Sequence, residues 1–265
     1  MIIYEYTNKM YIARQDLRQI RRIIVADYRE TVDYILGIPL FAQKIGKENL
    51  SSLLCRLGNP EKAVPAVHVA GTNGKGSTCR ALAQMLTGMG YRVGLFTSPH
   101  LVSINERIQI DGENISDADF VWAFETVKEK FTQHPSFFEV MFAMAAVYFR
   151  EKKCDFVVYE TGMGGRLDAT NVLMPELSII TSVGMDHMEY LGDTIEKIAA
   201  EKAGIIKPGI PIIYFKRDEA VAKVIEDTAR GQKSPVIPVE KQDYIINHLG
   251  DKTIDFSLHS RYYSY

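Results

Sequence analysis

The chain has 265 residues, enough to bury a real core as one large domain or two small ones. Its 31 lysines and arginines stand against 33 aspartates and glutamates, a near balance that excludes the basic signature of a nucleic-acid or anionic-membrane binder. Cys55, Cys79 and Cys154 lie far apart with no paired spacing, so they read as buried thiols of a reducing compartment, not as a disulfide frame or zinc site.

Residues 1–26 lack the apolar run of a secretory signal and mix tyrosines with Arg14, Arg18, Arg21 and Arg22. They read as an upstream extension, with a helical arm as the alternative. No apolar stretch nears the roughly 20 residues that span a bilayer, and the cytoplasm is the expected location. From Asp27 the pattern becomes regular: a helix to Gly37, a loop over Leu40–Gly46, and a second helix over Lys47–Leu57 ended by Gly58 and Pro60.

Ala63–Ala70 is a short apolar strand, and it feeds Gly71-Thr72-Asn73-Gly74-Lys75-Gly76-Ser77. A helix is predicted over Thr78–Met89, with Leu82, Met85, Leu86 and Met89 at helical spacing. A strand, a glycine-rich turn with one lysine, and a helix make a phosphate cradle: glycines turn N–H groups inward and Lys75 supplies a point charge. The loop departs from G-x-x-x-x-G-K-[ST], which needs glycine at Val69 and a hydroxyl residue at Gly76. An ordinary β–α turn is the alternative for the loop alone; its position between strand and helix favours the cradle.

Tyr91–Thr97 is a strand ending in Ser98-Pro99-His100, and Arg107–Ile115 a small hairpin turning at Asp111-Gly112. Ser116 with Asp119 opens a helix to about Phe131, and Phe137–Lys152 is a strongly apolar helix. Cys154–Tyr159 is a buried strand ending on Glu160, and Leu177–Val183 another, followed by Asp186-His187. Asp193–Ala203 is helical, stopped near Gly204. Strands at Ile210–Phe215 and Val236–Val239 flank a helix over Glu219–Ala229. Residues 27–243 are expected to form one domain, with a polar, hairpin-like stretch from Tyr244 opening a further segment.

Unalternating strands between amphipathic helices predict an α/β fold, a mostly parallel sheet with helices on both faces. Ligands of such sheets sit at the carboxyl ends of the strands. Gly71–Ser77, Ser98, Glu160 and Asp186-His187 all follow strands, so they are expected to converge.

A triphosphate brings a divalent cation, and Mg²⁺ prefers oxygen ligands. Glu160 stands where nucleotide-binding sheets place a metal or water-orienting carboxylate, and the glycines at 162, 164 and 165 expose backbone beside it. A surface glutamate is the plain alternative. Ser98 offers a hydroxyl, although alone it is an ordinary turn serine. His187 is open between core residue and Mg²⁺ ligand. His68, inside a strand, reads as core; His134, His248 and His259 read as surface, and His100 is undecided. Lys202, in Glu201-Lys202-Ala203-Gly204, reads on composition as a solvated helix lysine.

The blocks Val69–Thr78, Thr97-Ser98-Pro99-His100-Leu101, Glu160–Asn171, and Asp186-His187 with Glu201–Gly204 occur in order. With them the chain resembles the folylpolyglutamate synthase/dihydrofolate synthase family, a branch of the Mur ligases, from roughly Asp27 to Asp255. The glycine at position 76 in place of a hydroxyl residue is what this family shows.

The resemblance implies a P-loop-type Mur ligase central domain and an ATP-dependent ligase joining L-glutamate to a folate or pteroate carboxylate. It implies that Thr72, Asn73, Gly74, Lys75, Gly76 and Ser77 cradle ATP. Ser98, Glu160 and His187 would hold two Mg²⁺ ions, and Lys202 would carry a carbamate formed with CO₂. Ser136 and Phe137, with Leu167, Asp168 and Ala169, match folate-contacting segments. Lys75, Glu160 and Lys202 are the expected catalytic residues of a monomer acting on small molecules.

Family members continue into a C-terminal α/β domain, and this chain is expected to stop where that domain begins, binding ATP yet ligating poorly. Another Mur-type ligase, or an MgATP-binding remnant without ligase activity, are the alternatives.

Overall fold

The computed structural model describes residues 27–39, 48–132, 135–185, 188–250 and 253–258. The expected loop at Leu40–Gly46, the N-terminal extension, and His134, Asp186, His187 and His259 lie outside the described residues.

Residues 27–36 form α1 and Glu48–Arg56 form α2, closed by Gly58 at φ +78°. The predicted strand–loop–helix unit follows as β1 (Ala66–Ala70) and α3 (Lys75–Gly88). Next come β2 (Val93–Phe96) and the hairpin strands β3 (Ile108–Ile110) and β4 (Glu113–Asn114). Asp111 and Gly112 take φ of +53° and +85°, the paired left-handed conformations of a tight hairpin turn. The Ser116 hydroxyl accepts from the Asp119 N–H to start α4 (Asp117–Lys128), and Ser136 starts α5 (Phe137–Glu151) with a reciprocal Glu139 bond. The chain continues through β5 (Phe156–Glu160), β6 (Leu177–Ile180), α6 (Met188–Leu191), α7 (Ile195–Ala203), β7 (Ile212–Phe215), α8 (Glu219–Gly231) and β8 (Val236–Val239). β9 (Tyr244–Leu249) and β10 (Ile254–Leu258) then pair antiparallel as a separate hairpin.

Among the described residues, eight strands form one sheet in the order β4-β3-β2-β5-β1-β6-β7-β8. From β2 to β8 every neighbouring pair is parallel, while β2–β3 and β3–β4 pair antiparallel at one edge. The continuous apolar runs are explained by burial on both faces. Val67, Val69, Val93, Leu95 and Val158 face α3 through Cys79 and Ala83. Their alternate neighbours Ala66, Phe96, Val157 and Tyr159 pack with Phe142 and Phe149 of α5. Ala70, Ile180, Ile212 and Tyr214 form a third cluster with α7 and α8. Gly94 is a packing requirement, because a Cβ there would lie 2.7 Å from Phe149 Cδ1.

Three expectations change. α3 begins at Lys75, three residues before the predicted Thr78, because the glycine loop itself supplies its first turn. Met85 and Met89 are 67% and 70% exposed, so their helical spacing with Leu82 and Leu86 did not mark the buried face. The small residues Cys79 and Ala83 take that face and let the helix lie close to the sheet. Cys55 is exposed on α2, whose core side is Leu50, Leu53 and Leu54; only Cys79 and Cys154 are buried thiols. Among the described residues no helix is long and apolar enough to cross a membrane.

Candidate active site at the carboxyl edge of the sheet

β1 ends at Ala70, and the chain turns sharply at Gly71. This position is closed to any side chain: φ is +151°, and a Cβ would lie 2.0 Å from Thr181 Oγ1. The loop is then stitched to the segment after β6. The Thr72 N–H donates to the Ser182 carbonyl (2.6 Å), and the Asn73 N–H donates to Ser182 Oγ (3.1 Å). Thr181 Oγ1 and Ser182 Oγ both donate to the Asn73 carbonyl, at 2.8 and 3.0 Å. Thr72 Oγ1 donates to the Gly184 carbonyl and accepts from the Gly184 N–H. Gly74, at φ +82°, precedes α3 with no side-chain cap and no acidic residue in the first turn. The N-terminal N–H groups and dipole of α3 are therefore aimed at the loop mouth, the arrangement that binds phosphate.

Lys75 Nζ donates to the carbonyls of Gly71 (3.0 Å) and Thr72 (3.2 Å). Lys202 reaches the same Gly71 oxygen from α7, with its Nζ at 3.0 Å and its side chain buried at 2% exposure. The reading of Lys202 as a solvated helix lysine is thus corrected: α7 packs across the end of β1 and carries the lysine inward. Two tight contacts set that packing. A Cβ on Gly165 would lie 2.7 Å from the Glu201 carbonyl, and one on Gly204 2.4 Å from Arg166 Cβ. Arg166 bridges the same elements, its N–H donating to the Glu201 carbonyl and its guanidinium pairing with the Glu201 carboxylate at 2.8 Å.

Glu160 closes β5 and is buried, not a surface glutamate. Its Oε2 accepts the Ser98 N–H at 3.0 Å. A Cβ on Gly76 would sit 3.5 Å from that same oxygen, so the first turn of α3 passes directly over the carboxylate. Burial pushes the Glu160 carboxyl above the usual carboxylate range, opposed by the Ser98 N–H and by Lys75, Arg80 and Arg107. Ser98 follows β2, and its bond to Pro99 is cis. The glycine loop, Ser98 and Glu160 thus converge as their positions after strands require, and Lys202 joins them from α7; Asp186 and His187 lie outside the described residues.

The segments expected to meet folate gather on the neighbouring flank. Ser136 and Phe137 start α5, and a Cβ on Gly162 would touch the Phe138 ring at 2.8 Å, so that helix end abuts the turn after Glu160. Ser136 spends its hydroxyl on Glu139, accepting from its N–H and donating to Oε2 at 2.9 Å. Asp168 is buried and accepts from the Met163 N–H (3.0 Å) and Thr170 N–H (2.9 Å), capping the short turn Ala169–Val172. Its carboxyl is held above its ordinary value by burial, against those hydrogen bonds. Ser136 and Asp168 therefore shape the flank, while Leu167 is exposed on it and Ala169 half-buried.

His68 is a core histidine, as its strand position implies. Its Nε2 lies 2.8 Å from Thr170 Oγ1, and burial lowers it to about 3. His248 is exposed. The undecided His100 is a partner for a residue not singled out in the sequence: Arg107 Nε donates to His100 Nδ1 at 2.8 Å, and the Arg107 guanidinium lies 5.1 Å from the Phe137 ring centroid. The stitching residues Thr181, Ser182 and Gly184 were missed too, although they follow β6 and the rule that found Glu160 applies to them.

These residues fall inside a known sequence family. The Mur ligase middle domain matches residues 69–260. The dihydrofolate synthase/folylpolyglutamate synthase of Bacillus subtilis (strain 168) is 46% identical over 216 residues, covering 78% of this chain and 50% of that protein. The crystal structure of folylpolyglutamate synthase from Thermotoga maritima superposes with a TM-score of 0.79 at 40% identity, covering 87% of this chain and 54% of that one. A complex of FPGS with AMPPCP and folate gives a TM-score of 0.82 at 36% identity, covering 87% and 59%. The chain spans about half the length of the curated relatives it matches. Since the matched stretch runs from the end of β1 past β8 and contains the whole carboxyl edge, the chain belongs to the Mur ligase middle-domain family.

Proposed function

We propose that residues 27–243 form the ATP- and folate-binding body of an amide ligase that adds L-glutamate to a folate or pteroate carboxyl group. The observation that carries this is the convergence on Glu160: the uncapped start of α3 crosses it on one side, and the Ser98 N–H binds it on the other. Similarity to folylpolyglutamate synthases, one of them solved with AMPPCP and folate, supports the choice of substrates. The reading has the chain act as a cytoplasmic monomer on small molecules.

A carboxylate does not react with an amine until one oxygen is made a leaving group. In the proposed reaction a folate carboxylate oxygen attacks the γ-phosphorus of ATP, the bond to ADP breaks, and an acyl phosphate forms. The glutamate amine then attacks the acyl carbon, loses a proton, and displaces phosphate. Two anions must meet, so positioning and charge neutralisation supply most of the catalysis. Lys75 leaves the Gly71 and Thr72 carbonyls for the phosphates, and the N–H groups of α3 receive their oxygens.

Among the described residues no three His, Cys, Asp or Glu side chains cluster as a metal site. The donors present, the Ser98 hydroxyl and the Glu160 carboxylate, are the hard oxygen ligands that Mg²⁺ takes, and the absence of a side chain at Gly76 keeps the space beside the carboxylate free of a Cβ. Ser98 and Glu160, with His187, would hold two Mg²⁺ ions, whose chemistry is to neutralise phosphate charge. Lys202 as a carbamate would replace one of two ammonium groups crowding Gly71 with an anion; intact-mass measurement with and without bicarbonate tests this.

Incubating the chain with MgATP, glutamate and either dihydropteroate or tetrahydrofolate tests the whole reading. ADP release that requires both acid and amine, with an amide product, is expected. ATP binding with no amide would reduce the chain to a nucleotide-binding remnant.

A further inference from the structure

Arg107 is a buried cation whose charge is only partly used. It is 8% exposed, yet among the described residues its polar contacts are a single donation from Nε to His100 and the face of Phe137. Neither terminal guanidinium nitrogen has a hydrogen-bond or ion-pair partner there. Unlike His68 Nδ1 or Thr161 Oγ1, neither nitrogen is shut off from solvent, so the fork opens at the surface while the rest of the side chain is enclosed. Here the fork is presented and left open.

Its place in the topology says which anion it would take. Along the carboxyl edge the strand order is β3-β2-β5-β1. The phosphate loop follows β1, Glu160 ends β5, and Ser98 follows β2. Arg107 immediately precedes β3, which runs antiparallel to β2, and its carbonyl accepts the Thr97 N–H at 3.0 Å. Arg107 therefore lies across Glu160 from the phosphate loop, close enough to lower that carboxyl group. A nucleotide seated on the glycine loop would approach Glu160 from the β1 side, which leaves the β2–β3 side for a second anion. Phe137 provides an aromatic wall at the same point.

We infer that Arg107 forms the subsite for the reacting carboxylate of the acid substrate, and that His100 is its positioning residue. This rests on the proposed ligase reading and names the acceptor subsite within it. A planar guanidinium matches a carboxylate in two parallel bonds, which would fix one oxygen toward the γ-phosphorus. His100 engages Nε and so leaves the two terminal nitrogens for the ligand. Because the Arg107 Nε–H points at it from 2.8 Å, His100 Nδ1 is the acceptor of this pair, and the bond fixes the plane of the guanidinium.

The test is calorimetric titration of the full chain, in the presence of a non-hydrolysable MgATP analogue, with pteroate and with the same pterin–aniline carrying hydrogen in place of the carboxylate. The wild-type chain is expected to prefer pteroate by about tenfold to a hundredfold, the size of charge-assisted bonds to a buried carboxylate. In Arg107→Gln the preference is expected to fall to about twofold or less, with the affinity for the nucleotide analogue unchanged. His100→Asn, which keeps an acceptor near Nδ1, should retain the preference, and His100→Leu should lose most of it; these two variants decide the matter if Arg107→Gln fails to fold. A folded Arg107→Gln that still prefers pteroate, or that loses nucleotide affinity instead, overturns the assignment. So does equal behaviour of the two His100 variants. If the wild-type chain binds neither compound while binding the nucleotide, the folate reading itself fails and the subsite with it.

Discussion

Lys75 and Lys202 donate to one oxygen: both ammonium groups lie 3.0 Å from the Gly71 carbonyl, although the residues come from helices on different sides of the loop. One strand end therefore carries two cations before any substrate is present. A carbonyl stabilises two ammonium groups less well than a triphosphate does. In the proposed cycle this makes Lys75 the movable member, since it is half-exposed and Lys202 is buried.

Lys75→Ala is accordingly expected to weaken binding of an MgATP analogue by about tenfold to a hundredfold, the loss of one or two charge-assisted bonds. The melting temperature should change little, because the hydrogen bonds of the ammonium group stay within its own loop. Calorimetry and thermal unfolding on the same preparation check both. Unchanged nucleotide affinity would remove Lys75 from the cradle.

Gly71→Ala tests the stitching of the loop to the segment after β6. The new Cβ must displace Thr181 Oγ1 from 2.0 Å and adopt φ +151°, a combination costing roughly 2–4 kcal/mol. Denaturant unfolding should show this loss together with loss of nucleotide binding. Adding Thr181→Ala removes the clashing oxygen, so the double variant is expected to recover part of the stability. A double variant no better than Gly71→Ala would show that the clash is not the cause.

Glu160→Gln separates the carboxylate's charge from its shape. Burial raises this carboxyl group, so the folded state holds its proton to higher pH than the unfolded chain does. Stability from this group therefore falls as pH rises above the ordinary carboxylate range, and the amide variant should melt higher than wild type at neutral pH. The difference should disappear below that range, where both side chains are neutral. Product formation is expected to fall by orders of magnitude, roughly what losing a principal electrostatic group at a phosphoryl-transfer site costs.

The two positions also show what could be read from the chain alone. Glu160 and Gly71 are legible because each follows a continuous apolar strand, and parallel sheets bring strand ends together. Lys202 was not legible from composition: its neighbours on α7 are charged and small, and only the packing of Gly165 and Gly204 carries it 131 positions back to Gly71. Met85 and Met89 kept helical spacing yet face outward, because spacing names a stripe and not the partner that covers it. The start of α3 was placed late for a related reason, since glycines carry no periodic signal even when they form the first turn. Arg107 left no trace: it opens a hairpin strand, and its meaning comes from Phe137 and Glu160, brought to it by the fold.

His68 gives a pH signature away from the chemistry. It is lowered to about 3 in the fold, while the unfolded chain keeps the ordinary value of 6.5. Between these limits the unfolded state binds the extra proton, so stability falls as pH drops from 6.5 toward 3. The contribution is roughly 1.4 kcal/mol per pH unit. His68→Gln, which keeps a donor for Thr170, should lose stability less steeply than wild type over this window in denaturant titrations. Parallel curves would mean that the imidazole is protonated in the native chain.

The central claim is that the carboxyl edge hands a phosphoryl group from ATP to the acid before the amine attacks. Heavy-oxygen labelling of the substrate carboxyl group tests it directly, with the released phosphate examined by mass spectrometry after incubation with MgATP and glutamate. The account predicts one labelled oxygen transferred to phosphate for each amide formed. Amide product accompanied by unlabelled phosphate would contradict it.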